Sequence, residues 1–139
     1  MSSQNSDGDV TIRCSKEQAE LIVKSLDVVS RLFMGQFSIV TELFRDEMMM
    51  RKPVEYFAGN IKEADNLLRQ VKERLLPELS GNTCHGICSD DCPEMAKRCY
   101  WILKWISHGL HKDDSGYSVR KYPPVHVGVG DGVVKLEFS

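Results

Sequence analysis

The sequence predicts an α+β domain: a helical bundle of three or four helices with a small antiparallel sheet built from an N-terminal strand and C-terminal strands. Three observations lead there. Apolar residues recur at three- and four-residue steps over long central segments, they alternate near both ends of the chain, and glycine, proline and asparagine cluster between the patterned stretches.

Val10, Ile12 and Cys14 alternate with Thr11 and Arg13, the period-two mark of a short strand with one covered face. Ser15, with Gln18 three residues on, then has the capping-box spacing that opens a helix. Its apolar stripe is Ala19, Ile22, Val23, Leu26, Val29, Leu32 and Phe33. Gly35 interrupts the stripe and Phe37, Val40, Leu43 and Phe44 resume it, so residues 16–46 form either one kinked helix or two. Pro53 marks a break, and Asn60 is placed to cap a further helix that buries Ile61, Ala64, Leu67, Leu68, Val71 and Leu75 and ends by Pro77. Gly81, Asn82 and Gly86 give residues 80–91 the chemistry of a loop. Asp90, Asp91, Pro93 and Glu94 favour a helix start, with Met95, Cys99, Ile102, Leu103, Ile106 and Leu110 facing inward. After a turn at 112–116, residues 117–122 and 133–138 read as strands, Val134, Leu136 and Phe138 alternating with Lys135 and Glu137.

The 139 residues fit one domain over 10–139, preceded by polar residues 1–9 that are expected as a disordered tail. With 42% hydrophobic and 27% charged residues, the chain has the balance of a folded protein rather than a disordered one. A formal charge of −2 creates no field toward nucleic acid or an anionic membrane, and neither is expected as a partner. No apolar run reaches the roughly 18 residues of a membrane span. The polar opening lacks the apolar centre of a secretory signal, so a cytoplasmic location is expected.

The five cysteines are Cys14, Cys84, Cys88, Cys92 and Cys99, an odd number that argues for reduced thiols. Cys84, Cys88 and Cys92 with His85 offer zinc-type donors, but their spacing is not that of Cys-x-x-Cys knuckles and Cys99 falls on the apolar stripe. No metal or other cofactor is expected. Adjacent Cys84 and His85 make a poor nucleophile and base, and neither a Gly-x-x-x-x-Gly-Lys run nor a His-Glu-x-x-His helix is present, so the chain reads as a non-enzyme. What remains is a set of multidentate groups near helix breaks and ends: Arg31, Gln36, Asn82, His85 and His108. Arginine and histidine suit phosphate or carboxylate, and the amides can read a base edge. Each also has a local alternative: Arg31 can pair with an acid on its own helix, Asn82 can hold a left-handed turn, and His108 can bond carbonyls at a helix end.

The run Ser30-Arg31-Leu32-Phe33-Met34-Gly35-Gln36-Phe37, the loop from Pro77 through Gly81-Asn82 to Gly86-Ile87, and the helix from Tyr100 through Ile102, Ile106 and His108 to Leu110 together resemble a family of small accessory proteins of tailed bacteriophages. His85 departs from the pattern, where an aromatic residue is usual. So do the loop cysteines and Ser107. The resemblance implies a modulator of a host process acting in the host cytoplasm, and such proteins include ones that sequester nucleotide immune signals. The expected partner is therefore a small anionic, nucleotide-like ligand held by Arg31, Gln36, Asn82, His85 and His108, with a homo-oligomer as a candidate state. The alternatives are a protein-protein adaptor or inhibitor using Met48–Met50 or Trp101 and Trp105, and a zinc-dependent enzyme.

Overall fold

The computed structural model describes residues 2–4, 8–48, 54–79, 81, 83–116, 118–128 and 132–139, with the backbone alone described at 2–4 and 54–58. In chain order the elements are β1 (Ser2–Gln4), β2 (Val10–Cys14), α1 (Lys16–Met34), α2 (Ile39–Met48), α3 (Val54–Leu75), α4 (Glu94–His111), a 3₁₀ turn (Val119–Lys121) and β3 (Val134–Phe138). The chain is a mixed α+β fold. Part of the expected tail, Ser2–Gln4, lies as β1 antiparallel to Val10–Ile12.

The opening of α1 follows its sequence signal. Ser15 Oγ accepts the Gln18 amide, and the Gln18 side chain accepts the Ser15 amide in return, which satisfies donors that a helix start otherwise leaves open. At its other end Gly35 adopts φ 95°, with the Gly35 amide donating to Leu32 O and the Gln36 amide to Arg31 O. This is a Schellman ending, and it separates α1 from α2 as two helices.

α1 and α4 cover the sheet. Cys14, Ala19, Ile106 and Val134 are the buried centre, and Ile12, Ile22, Leu26, Ile102, Trp105 and Leu136 pack around it. Ala19 and Ala96 are both fully buried, and Ser30 Oγ donates to Ala96 O at 2.9 Å, so small residues and one interhelical hydrogen bond let α1 approach α4 closely. Among the described residues, α2 and α3 add nothing to this centre. The expected bundle of three or four helices is not confirmed by the packing, in which α1 packs chiefly with α4, and α2 with α3.

The sheet differs from expectation in direction. β2 and β3 pair in parallel, Val10 opposite Val134 through Cys14 opposite Phe138, rather than antiparallel. The cause is the segment after α4, which runs back along that helix instead of turning straight into the sheet. His108 meets Lys121, Trp101 stacks edge-on against His126 with ring centroids 6.3 Å apart, and Gly128 lies beside the Lys97 ammonium. That return adds one reversal of direction, so β3 enters beside the start of β2. Parallel neighbours need such a long crossover, which alternation cannot reveal. The strand expected over 117–122 is instead the 3₁₀ turn Val119–Lys121, closed by the Tyr122 amide on Val119 O, with Tyr117 outside the described residues.

Two further expectations change. α3 begins at Val54, six residues before Asn60, which therefore lies inside the helix and caps nothing. Its stripe also divides: Ile61 and Leu68 turn inward beside Asp65 and the buried Lys72, while Leu67, Val71 and Leu75 stay 61%, 45% and 66% exposed. On α4, Cys99, Leu103 and Ile106 are buried as expected, and Met95 is exposed.

Candidate anion-binding site

The left-handed Gly35 swings the chain from α1 into Phe37 and Ser38, and α2 starts one residue later. The opening turn of α2 is held by the Ile39 amide on Gln36 O and the Glu42 amide on Ser38 O. α3 crosses in front of this turn, tied to it where Thr41 Oγ1 donates to Asp65 Oδ1. Between them lies a cavity of about 290 Å³, with Gln36, Phe37, Ser38, Asp65, Arg69 and Lys72 in its wall.

Lys72 is the residue that gives this cavity its character. It is only 4% exposed, and its Nζ donates to Gly81 O at 2.9 Å and to Thr83 O. Both acceptors are neutral carbonyls, so among the described residues no carboxylate pairs with this ammonium. A buried charge met only by dipoles is costly, and an anion in the adjoining space offsets that cost. Arg69, one residue past Leu68 on the same helix, adds a second cation to the wall, and the amides at the start of α2 add positive partial charge.

Of the residues chosen from sequence, Arg31, His85 and His108 do not line this space and Gln36 does. Arg31 Nε donates to both Asp27 oxygens at 3.1 and 3.0 Å, the helix-internal pairing that was its local alternative. Its Nη1 donates to Gln36 Oε1 at 2.8 Å, and the Gln36 amide nitrogen reaches Cys84 Sγ at 3.8 Å. The largely buried His85 sits beside them, its amide on Met34 O at 2.8 Å and its Nε2 3.9 Å from Glu78 Oε1. Arg31, Gln36 and His85 thus gather at the end of α1, but only Gln36 lines the cavity. Arg31 opens instead onto a groove of about 380 Å³ between α1 and α4. Asn82 lies outside the described residues.

His108 is elsewhere again. Its Nδ1 lies 2.6 Å from Lys121 O, so this nitrogen carries the proton and pins the returning segment to α4. Its ring meets that of Trp105 edge-on at 5.9 Å and borders a third cavity, also of about 380 Å³, against β3. Of the adaptor surfaces, Trp101 and Trp105 are half-buried rather than exposed, and the Trp101 indole donates to Gly132 O at 2.9 Å. Met48 is half-buried, and Met49 and Met50 lie outside the described residues.

The thiols are separated by their surroundings. Cys84 and Cys88 are exposed, while Cys14, Cys92 and Cys99 are buried. Burial pushes the Cys92 and Cys99 thiols up from 9.0, with Lys97 pulling the first down and Arg98 the second, so neither is an activated nucleophile. Among the described residues no group of three or more His, Cys, Asp or Glu side chains could hold a metal ion. No family model, curated protein or solved structure matches this chain. The chemistry of the site comes from its own residues.

Sequence reading missed Lys72 and Arg69 because a lysine and an arginine on an amphipathic helix read as its solvated face. A signal was present nonetheless. Ile61, Asp65, Leu68 and Lys72 recur at steps of four, three and four, which places the acid and the lysine on one face with two apolar residues.

Proposed function

We propose that the protein binds, without catalysis, a small anionic ligand of nucleotide-like chemistry in the cavity between the α1–α2 turn and α3. The observation that carries this is Lys72, a buried ammonium at the cavity wall with neutral partners. Arg69 supports it as a second cation that an anion can bridge, and Gln36 and Ser38 supply hydrogen-bonding groups beside the start of α2. Phe37, in the same wall, offers an aromatic surface for a base. About 290 Å³ is close to the lower end of small-molecule sites, which suits a mononucleotide or a smaller anion. The resemblance to phage accessory proteins adds a purpose for such binding, the sequestration of a host nucleotide signal.

Calorimetry with inorganic phosphate, mononucleotides, cyclic dinucleotides and ADP-ribose tests the reading. Arg69 is exposed, so Arg69→Gln is expected to leave the melting temperature in place and weaken binding about ten- to hundredfold, the worth of one charge-assisted contact. Lys72→Met is expected to abolish binding and to lower stability as well, since the Gly81 and Thr83 carbonyls lose their donor. Binding that survives both substitutions, or no binding across the panel, removes the proposal.

A further inference from the structure

α3 turns polar residues inward and apolar residues outward. Asp65 and Lys72 face α2 and the cavity, whereas Leu67 and Val71 are exposed on another face, with Leu75 exposed at its edge. At 100° per residue, Glu63, Leu67, Val71 and Arg74 fall within one arc of about 80°, with Ala64 and Leu75 along one edge of it. This arc is an apolar seam with one acid near its start and one base near its end. Among the described residues neither Glu63 nor Arg74 has an ion-pair partner.

We propose that this face of α3 binds the same face of a second copy of the chain, the two helices antiparallel about a two-fold axis. The arrangement of residues is self-complementary in that orientation. Leu67 lies against the copy's Val71, Ala64 against its Leu75, and Glu63 against its Arg74, each pair occurring twice. A parallel pairing brings Glu63 to Glu63 and Arg74 to Arg74 instead. Ala64 is small enough for close approach, and uncharged Gln70 is the polar residue nearest the axis, so no like charges meet there. The contact spans about three helical turns, roughly 17 Å, which is short for a protein interface and makes the association weak and concentration-dependent. The ligand cavity lies on another face of α3, so pairing leaves it open and does not depend on the anion-binding reading.

Analytical ultracentrifugation of the full chain, up to roughly 1 mM, tests this, because even a millimolar association registers there. A reversible monomer–dimer equilibrium is expected. Leu67→Glu and, separately, Glu63→Arg should each weaken it at least tenfold with helicity unchanged by circular dichroism. The charge exchange Glu63→Arg with Arg74→Glu should restore it. A monomer at every concentration overturns the proposal, as does a dimer indifferent to Glu63→Arg or a double exchange no tighter than the single.

Discussion

At the scale of single residues, Gly35 turns the chain out of α1 in a conformation that leaves no room for a side chain. A side chain there meets two separate penalties. The φ of 95° is one that L-residues rarely adopt, and a Cβ would lie 2.7 Å from Leu79 Cδ1. Gly35→Ala is expected to cost about 1–3 kcal/mol in a denaturant titration, and a loss below about 0.5 kcal/mol contradicts this account. The buried thiols set a second residue-scale expectation. Cys92 and Cys99 titrate above 9.0 and Tyr100 above 10.0, each chiefly through burial. The folded chain therefore holds these protons more tightly than the unfolded one, and the stability they contribute is complete below about pH 9 and lost as pH rises through the elevated folded values. Denaturation midpoints should fall as pH rises above about 9, less steeply in Cys99→Ala. A flat profile in the parent chain removes this account. The candidate residues themselves were only partly legible. The pairing of Arg31 with an acid on its own helix was visible, but its contact with Gln36 and that of His108 with the Lys121 carbonyl depend on rotamers and on a returning segment that residue type does not encode.

At the scale of elements, β2, α1, α4 and β3 were legible because each has one covered face, which imprints a period of two or about 3.6 on the sequence. α3 was legible as a helix but not in its start or its inward face, and its composition explains why. Leu67 and Leu68 are adjacent, so a stripe drawn through either is plausible, and the inward choice is set by Thr41 meeting Asp65 and by Lys72 reaching the loop carbonyls. Polar contacts thus overrode the apolar pattern. The division also shapes local stability. α4 is backed by α1, the sheet and the 3₁₀ turn, whereas α3 is backed chiefly by α2. In native-state hydrogen exchange, amides of α3 over 62–74 should exchange well before those of α4 over 99–107, since the first can open without exposing the buried centre. Equal protection of the two helices argues against this view.

At the scale of the whole molecule, the fold class was legible from the order of the patterned segments, but not the sense of the sheet. Direction depends on how many times the chain reverses between Cys14 and Val134, and the reversal along α4 is made by a segment rich in proline and glycine with no periodicity of its own. The parallel pairing has a consequence for how the protein is made. Arg13 and Glu137, 124 positions apart, meet across the two strands, and Ile12 and Cys14 find their strand neighbours in Leu136 and Phe138. A ribosome delivers the first of these partners long before the second. Until residue 138 has left the exit tunnel, the growing chain carries β2 with one hydrogen-bonding edge unfilled, and α1 rests on an incomplete floor. The closing step of folding is thus a late, long-range event, with the slow kinetics and the exposure to strand-edge association that such closures bring.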